Sequence, residues 1–439
     1  MTAATTTTRY EQAIAELFSR RPEVMLPGLR RIRALCHSLG EPQHAFDAIH
    51  LTGTNGKTST ARMVTELLIA AGEHVGTYTS PHLQDVRERF RIDDQPLDVD
   101  ELFAGLDALR PHIERVEEAT GEMVTFFEAS TALCLWAFAR ARVNTGVIEV
   151  GMGGRWDATN VVDGRVAVIG QVRLDHAQLG STVGEVAEEK AGIIKHRAVV
   201  ISANPDGDPA RVIADEVARQ GATLRLLGRD FGVVERIPGA DGQRVVLRGL
   251  DGRTYQVNLP LHGAHQAMNA ACALAAVQAH LPRPLDPAAV SEGFARVRSP
   301  GRMELFSADG VPVLLDGAHN PAAAESLARS LRELGGDGAR RVLVLGIMSD
   351  KDIPTIVRLL GQVADEVVVT APDSPRAAGP EQLRDACLAG GLTVTACVED
   401  VGEAVRVAAE RAGTDGMVVV TGSLYTVGEA RAALGGAPV

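Results

Sequence analysis

The sequence predicts an α/β protein built around a mostly parallel sheet, with a second, smaller α/β domain at its carboxyl end. Short apolar runs alternate with stretches of helical length, and this arrangement gives parallel strands joined by crossover helices. The alternation is interrupted once, at 296–302 (Arg-Val-Arg-Ser-Pro-Gly-Arg), and then begins again. A chain of 439 residues is also longer than one hydrophobic core normally supports.

The elements of the first domain follow from this pattern in order. Strands are predicted over 49–52, 74–79, 147–150, 166–172, 198–203 and 223–227. Helices are predicted over 57–71, 100–119, 127–142, 182–192, 208–220 and 265–280. A hairpin over 245–248 and 255–258 is also predicted, because Asp251-Gly252 is a common turn sequence.

The second domain has the same alternation on a smaller scale. The Pro-Gly pair predicts a linker at 299–302, between a domain over 1–298 and a domain over 303–439. Strands are predicted over 313–315, 341–345, 366–369, 393–398 and 417–421. Helices are predicted over 321–335, 352–361, 379–390 and 401–412, which gives a doubly wound, Rossmann-like domain.

Composition excludes several classes of function. The net charge of −12, without a basic patch, argues against nucleic acid as a main partner. The five cysteines are scattered and form no Cys-x-x-Cys pair, as expected of reduced thiols in the cytoplasm. We expect no signal peptide and no membrane association, since the amino terminus lacks an apolar core and no apolar run approaches 18 residues.

A glycine-rich turn follows the first predicted strand. Residues 52–58 read Thr-Gly-Thr-Asn-Gly-Lys-Thr, and a helix is predicted to begin near Lys57. Gly53 and Gly56 allow a tight turn whose N–H groups face an anion, and the helix N-terminus adds partial positive charge. Lys57 supplies a cation for the phosphates, and the Thr58 hydroxyl can reach Mg²⁺ or a phosphate. This shortened Walker A pattern predicts a nucleoside triphosphate site rather than an ordinary turn.

Three polar residues lie at or just after the ends of predicted strands in the same sheet, namely Ser80, Glu149 and His176. The carboxyl ends of parallel strands meet at one edge, where ligands of open α/β sheets bind. Hydroxyl, carboxylate and imidazole groups are suitable ligands for a cation that bridges phosphate oxygens. Taken singly, each residue has a structural interpretation, as a turn residue, a cap or a satisfied histidine. Their joint position beside a phosphate loop favours a magnesium site.

The chain closely resembles the folylpolyglutamate synthase/dihydrofolate synthase family, within the Mur ligase superfamily, over nearly its whole length. The resemblance implies a P-loop ATPase domain of the Mur ligase type, followed by a glutamate-ligase domain. It rests on these motifs, in chain order: Thr52-Gly-Thr-Asn-Gly-Lys-Thr58, Thr79-Ser-Pro-His-Leu83, Glu149-Val-Gly-Met-Gly-Gly-Arg-Trp-Asp-Ala-Thr-Asn160, Leu174-Asp-His176, Glu189-Lys-Ala-Gly-Ile193, His265-Gln-Ala-Met-Asn-Ala270, Pro300-Gly-Arg302, Asp316-Gly-Ala-His-Asn-Pro321, Ser349-Asp-Lys-Asp352 and Thr421-Gly-Ser-Leu-Tyr425.

The resemblance implies which residues bind ATP. Asn269 matches the contact to adenine, and Arg302, Asp316 and His319 match residues that reach the nucleotide from the linker and the second domain. The phosphate loop is implied to bind ATP through Gly53, Thr54, Asn55, Gly56, Lys57 and Thr58.

The resemblance also implies two magnesium ions. Ser80, Glu149 and His176 match the family's magnesium ligands, and Lys190 matches a lysine that the family carries as a carbamate. A carbamate replaces the cation by an acidic ligand that helps to position a second magnesium ion. Without the resemblance, Lys190 would be interpreted as a solvated helix lysine. Lys57, Lys190 and His176 are the expected catalytic residues.

The substrate residues are implied in the same way. Phe127 and Asp157 resemble the residues that hold the pterin ring, and their structural alternatives are a core aromatic and a helix cap. Ser423 lies in the motif on the glutamate side. The chain departs from the family pattern at Arg173, where glycine is usual, and in the stretch 176–190, which is one residue shorter. Both departures lie near the predicted metal.

The implied reaction is ATP-dependent addition of L-glutamate to reduced folates and to dihydropteroate, through an acyl phosphate. A cytoplasmic monomer that uses ATP and Mg²⁺ is expected. One alternative is another Mur-superfamily ligase acting on a cell-wall or amino-acid-polymer precursor, which Phe127 and Asp157 disfavour. The other is a P-loop switch or kinase that performs no ligation, which the second-domain motif 316–319 disfavours.

Overall fold

The computed structural model describes residues 3–20, 27–174, 177–334 and 340–437, without the side chains of residues 3–8 and Ala177. The described strands form three sheets. The strands are β1 Asp47–Thr52, β2 Val75–Tyr78, β3 Phe90–Ile92, β4 Gln95–Pro96, β5 Thr145–Glu149, β6 Gly164–Ile169, β7 Val199–Ser202, β8 Thr223–Leu226, β9 Gly232–Gly239, β10 Gly242–Arg248, β11 Thr254–Leu259, β12 Arg302–Ala308, β13 Val311–Asp316, β14 Arg341–Leu345, β15 Glu366–Val369, β16 Val394–Cys397 and β17 Met417–Thr421.

Helices pack against these sheets. They are α1 Ala3–Ser19, α2 Arg30–Ser38, α3 Lys57–Ala70, α4 Val99–Thr120, α5 Phe126–Ala141, α6 Val183–Ala191, α7 Gly207–Gln220, α8 Ala264–His280, α9 Pro287–Arg296, α10 Pro321–Leu334, α11 Ile353–Leu360, α12 Pro380–Ala389, α13 Val401–Ala412 and α14 Leu424–Ala433. Local chemistry sets several of their ends. α5, for example, begins at a capping box. The Thr125 hydroxyl accepts from the backbone N–H of Glu128, and the Glu128 carboxylate accepts from the backbone N–H of Thr125.

The largest sheet has eight strands in the order β4-β3-β2-β5-β1-β6-β7-β8. Its central strands run parallel, and β3 and β4 add an antiparallel edge beside β2. β1 and β5 are buried along almost their whole length, which explains their continuous apolar sequences. The parallel arrangement brings the ends of β1, β2, β5 and β6 to one edge of the sheet.

A small antiparallel sheet, β11-β10-β9, follows the large one. The predicted hairpin is β10 and β11, with Val245 opposite Val257 and Gly252 in the left-handed region at φ 76°. Strand β9 was not predicted. The inward side chains of the sheet join the core formed with α3 and α8. The alanine-rich sequence of α8 therefore reflects burial on several sides.

The carboxyl-terminal sheet has six strands in the order β12-β13-β17-β14-β15-β16. Strand β12 pairs antiparallel with β13, and the remaining pairs are parallel. The predicted fold class, a large mostly parallel sheet followed by a smaller α/β unit, is confirmed. Two elements of this unit, β12 and α14, were not predicted from the sequence.

The segment between the two units covers residues 297–301, since α9 ends at Arg296 and β12 begins at Arg302, the last residue of the predicted linker. Gly301 and Met303 have left-handed backbones, with φ 66° and 51°. Such a φ is costly for methionine, and the Met303 N–H is held by Asp316 Oδ2 at 3.0 Å. The backbone therefore turns sharply on both sides of Arg302. The domain limits at 298 and 303 stay a prediction.

Candidate active site

The phosphate loop connects β1 to α3, as predicted. Gly56 has φ 79° and precedes α3, and a Cβ atom on it would lie 2.7 Å from Asn269 Oδ1. Glycine is therefore required both for the backbone conformation and for the close approach of α8. Lys57 Nζ donates to the carbonyl of Gly53 at 2.9 Å, so the side chain folds back over the loop. The loop residues 54–58 line a cavity between the unit of the eight-stranded sheet and the unit of the six-stranded sheet.

Glu149 emerges from the end of β5 directly beside this loop. Its two carboxylate oxygens each accept from the Thr58 hydroxyl at 3.0 Å, and Oε2 accepts from the Ser80 N–H at 3.2 Å. The side chain is buried, and this burial raises its pKa to about 7, although the positive charge of Lys57 opposes the rise. Ionised Glu149 therefore lacks a full counter-charge, and a cation would supply it.

The donor set around Glu149 fits magnesium, since it offers carboxylate and hydroxyl oxygens from Glu149, Ser80 and Thr58 at the rim of the phosphate loop. His176, the third predicted ligand, lies outside the described residues. Within the described ranges, no three His, Cys, Asp or Glu side chains form a metal cluster. The predicted magnesium set therefore rests on Glu149 and Ser80 in the part of the chain that is described.

Lys190 lies in the last turn of α6 and is almost fully buried, with 1% of its surface exposed. Its Nζ donates to the carbonyl of Gly53 at 3.1 Å. The same carbonyl oxygen accepts from Lys57. Two ammonium groups thus approach one oxygen atom at the base of the phosphate loop. The interpretation of Lys190 as a solvated helix residue is wrong.

Arg302, Asp316 and His319 form the opposite wall of the cavity. Both oxygens of Asp316 are held by backbone N–H groups, those of Met303 and Ala318, each at 3.0 Å. Burial raises the Asp316 pKa to about 6, against the opposing charge of Arg302. Asp316 therefore holds the backbone at two places, at Met303 near the start of β12 and at Ala318 after β13.

His319 is kept neutral at this wall. Burial lowers its pKa to about 4; the charges of Arg302, Lys351 and Lys57 contribute to this shift, and a hydrogen bond to the Gly317 carbonyl opposes it. Of these three cations, Lys57 and Arg302 line the cavity, one from each unit, as a polyphosphate requires. Lys351, from the motif Ser349-Asp-Lys-Asp352, pairs with Asp350 at 3.0 Å and is not among the lining residues.

The far end of the cavity is bordered by α8 and α10. Asn269, the predicted contact to adenine, lies here and donates to Gln266 Oε1 at 3.0 Å. His265 and Ser326, which were not predicted, face each other across the two units with Nδ1 and Oγ 2.9 Å apart. His265 belongs to a recognised motif, whereas nothing in the local sequence marks Ser326. Hydrogen bonds between the side-chain amides of Asn55 and Asn320 form another contact between the two units.

A second cavity, of about 360 Å³, lies beside the first and contains both residues predicted to hold a flat ring. Phe127 packs on Gly151, where an added Cβ would lie 2.4 Å from the ring. Asp157 accepts from the N–H groups of Met152 and Thr159, at 2.9 and 3.0 Å, so it also caps the short helix Ala158–Val161. Asp157 therefore lines the cavity predicted for the pterin ring and also caps a helix, which was its structural alternative.

The two cavities share part of their walls. Ser80, Pro81, Gly151 and Met152 border both of them. The predicted magnesium ligand Ser80 is thus at their junction. A molecule in the second cavity can extend past Ser80 towards the phosphate loop.

Ser423 lies apart from the other predicted residues. Its hydroxyl caps α14, accepting from the Thr426 N–H at 3.0 Å and lying 2.8 Å from the Thr426 hydroxyl. Its neighbour Leu424 borders the first cavity, and Ser423 is not among the lining residues. A direct substrate contact by Ser423 stays a prediction.

Two family models match the chain, one described as the Mur ligase middle domain over residues 51–277 and one as the Mur ligase glutamate ligase domain over residues 301–424. A Mycobacterium tuberculosis protein named dihydrofolate synthase/folylpolyglutamate synthase is 39% identical, over 96% of this chain and 93% of that protein. A Lacticaseibacillus casei protein named folylpolyglutamate synthase is 36% identical, over 92% of this chain and 94% of that protein.

The solved structures include the Mycobacterium tuberculosis folylpolyglutamate synthase complexed with ADP and AMPPCP. It superposes on this chain with a TM-score of 0.93 at 38% identity, over 98% of this chain and 100% of that one. None of the helices in the described part of the chain combines the length and apolar composition that a membrane-spanning helix requires.

Proposed function

The chain belongs to the folylpolyglutamate synthase/dihydrofolate synthase family of the Mur ligases, and on this basis we propose that it uses ATP to join L-glutamate to reduced folates and also to dihydropteroate. One observation carries the proposal. The cavity of the phosphate loop and the cavity of Phe127 and Asp157 meet at Ser80. A pterin ring in the second cavity would direct its carboxylate tail towards the phosphate end of a nucleotide in the first.

In the proposed reaction a carboxylate oxygen of the folate attacks the γ-phosphorus of ATP in line. The bond from that phosphorus to the β–γ bridging oxygen breaks, and ADP leaves. The glutamate amino group then attacks the acyl phosphate, and phosphate leaves as the amide forms. Lys57 exchanges its contact with the Gly53 carbonyl for the γ-phosphate oxygens, where it offsets the developing negative charge.

Glu149, Ser80 and, by resemblance, His176 would hold magnesium. The ion would neutralise charge on the phosphate oxygens and complete the surroundings of buried Glu149. Thr58, which already donates to Glu149, keeps that carboxylate oriented towards the loop. Since Glu149 belongs to β5 and Ser80 follows β2, their separation is set by two adjacent parallel strands.

Lys190 is proposed to act as a carbamate. As an ammonium group it shares the Gly53 carbonyl with Lys57, an arrangement of two like charges in a buried place. Once its ammonium group loses a proton, the free amine of Lys190 would attack carbon dioxide and release a second proton, which turns one of the two cations into an anionic carbamate. The carbamate would then offer an anionic ligand for a second magnesium ion.

The nucleotide base is proposed to lie near Asn269, with Arg302, Asp316 and His319 closing over the phosphates from the second unit. Ser423 is proposed to act on the glutamate side through the start of α14. The proposal divides the chain into an ATP-binding domain over 1–298, a linker over 299–302 and a glutamate-ligase domain over 303–439. It places the enzyme as a monomer in the cytoplasm, where its five cysteines remain reduced.

The proposal is tested by ADP release with tetrahydrofolate or dihydropteroate, each with and without L-glutamate, and by the mass of the product. ADP release that requires glutamate and yields one added glutamyl unit on both substrates is expected. Activity confined to a cell-wall precursor would support another Mur ligase. ATP turnover without an amide product would support a nucleotide-binding protein that performs no ligation.

A further inference from the structure

One arginine of the last helix reaches three separate parts of the molecule. Arg431 belongs to α14 and is 7% exposed. Its Nε donates to both carboxylate oxygens of Glu304, each at 3.1 Å. Its Nη1 donates to Gln84 Oε1 and to the carbonyl of Ala437. Glu304 lies on β12 just after the linker, whereas Gln84 lies in the loop after β2, in the other unit.

We propose that Arg431 is a positioning residue, which couples the loop that carries Ser80 to the linker that carries Arg302. It thereby holds the two units in the arrangement in which the acyl phosphate forms and is protected from water. The inference rests on the proposed ligase function, but nothing in that proposal assigns a part to Arg431 or Gln84.

The Ser80 side of this connection is rigid. The carboxylate of Glu88 accepts from three consecutive backbone N–H groups, those of Leu83, Gln84 and Asp85, at 2.8, 2.9 and 2.9 Å. Residues 83–85 are therefore held together, and a displacement of Gln84 would displace all three. Because the loop begins at Ser80, this displacement would also reach the proposed metal ligand.

The linker side is equally constrained. Glu304 Oε2, one of the two atoms that Arg431 binds, also accepts from the Gly301 N–H at 2.8 Å. The Gly301 carbonyl in turn accepts from the Gly317 N–H at 2.9 Å. Glu304 thus fixes the residue before Arg302, in the left-handed conformation that turns the chain. Moving Glu304 would displace Arg302 from the cavity wall.

Helix α14 packs closely against both the Ser80 loop and the linker. A Cβ atom on Gly428 of α14 would lie 2.4 Å from the carbonyl oxygen of Leu83. A Cβ atom on Gly301 would lie 2.9 Å from the side chain of Val427 and 3.4 Å from that of Leu83. The start of α14, the linker and the Ser80 loop therefore meet at one point. Arg431, in the last turn of the same helix, connects the linker side and the Ser80 loop through Glu304 and Gln84.

The test is Arg431→Met in the full chain, which keeps the aliphatic stem and removes the donors. Arg411→Met is the matched control, because Arg411 pairs with Glu366 at 2.6 Å within the carboxyl-terminal unit alone. Amide hydrogen exchange should become on the order of tenfold faster in the peptide containing Gly301 in the Arg431 variant, and not in the control. Exchange of Leu343–Leu345 in the core should stay unchanged in both.

The reaction supplies a second readout that a purely stabilising arginine would not change. In the parent, each ADP should correspond to one amide product. In Arg431→Met, water should reach the acyl phosphate, so that more ADP than amide is formed. The kcat for amide formation should fall on the order of tenfold with KM for ATP within about twofold. Arg431→Lys, which keeps the charge but offers fewer directed donors, should restore part of the coupling.

Unchanged linker exchange together with a one-to-one ratio in the Arg431 variant would overturn the inference. If Arg431→Met does not fold, Gln84→Leu removes the same connection from a half-buried loop residue and should give the same two effects. Hydrogen exchange needs no turnover, so a parent without glutamate-dependent ADP release would reject the proposed function while the exchange result still decides the role of Arg431.

Discussion

Glu149 gives a quantitative prediction because its buried carboxylate is unfavourable for folding. The side chain is 1% exposed, and burial raises its pKa from the ordinary value of 4.5 to about 7. A folded-state pKa above the unfolded-state pKa means that the folded protein holds the proton more tightly. Stability is therefore lost as pH rises from 4.5 to 7, and the full cost is present above pH 7. At about 1.4 kcal/mol per pKa unit, this cost is about 3 kcal/mol.

Glu149→Gln removes the charge and keeps an oxygen that accepts from Thr58 and Ser80. Without nucleotide or magnesium, the free energy of unfolding at pH 8 should exceed that of the parent by about 2–3 kcal/mol. At pH 5 the two proteins should differ by less than about 1 kcal/mol, because Glu149 is then largely protonated in the folded parent. Urea unfolding followed by circular dichroism at both pH values measures the difference. The same variant should lose turnover and require more magnesium.

Glu88→Gln is a control of opposite sign. Glu88 is also a buried carboxylate, but it accepts from three backbone N–H groups, so loss of its charge should destabilise the protein at pH 8. If Glu149→Gln is less stable than the parent at pH 8, or gains equally at pH 5, the account of Glu149 as an uncompensated carboxylate is refuted. Unchanged magnesium titration of its activity would refute its part in metal binding.

Three further predictions concern the other site residues. Lys57→Ala should lower kcat at least on the order of a hundredfold with the fold intact, because a cation at the transferring phosphate contributes about 3 kcal/mol or more to the barrier; steady-state kinetics and circular dichroism measure this. Removing carbon dioxide at mildly acid pH should lower activity, and bicarbonate should restore it, because Lys190 would regain its carbamate; Lys190→Ala should not respond to bicarbonate. Phe127→Ala and Asp157→Ala should weaken use of dihydropteroate far more than extension of a polyglutamylated folate, measured as kcat/KM on each substrate.

Each of these has a contradicting result. Near-normal turnover or an unfolded protein in Lys57→Ala would show that the lysine acts otherwise. A fully active enzyme whose mass and titration show unmodified Lys190 would exclude the carbamate. Equal losses on both folate substrates in Phe127→Ala and Asp157→Ala would assign those residues to the structure of the second cavity alone.

Much of the fold was predictable because its strands have distinctive sequences. β14, Arg341–Leu345, is buried on both faces and was predicted with its observed limits. α1 was missed, since its start is a run of threonines with low intrinsic helix propensity. β12 was missed because its residues are only partly buried, so the run 302–308 lacks a continuous apolar signal.

The positions of site residues were predictable where a motif ends or directly follows a strand of the large sheet, as for Glu149 and Lys57, which both line the first cavity. The family assignment is confirmed by the comparisons. The burial of Lys190 was not predictable from α6 itself, because it depends on the approach of Gly53 from a distant part of the chain. The pairing of His265 with Ser326 likewise exists only once the two units meet. The sequence around each residue does not indicate such contacts, because their partners lie far away in the chain.

The central claim is that a carboxylate of the substrate becomes an acyl phosphate at the junction of the two cavities. It is tested most directly with a folate substrate labelled with ¹⁸O in its γ-carboxylate, followed by mass analysis of the released phosphate. If ATP activates the carboxylate, one ¹⁸O atom passes to inorganic phosphate with each amide bond formed. Unlabelled phosphate, released together with amide product, would contradict the account.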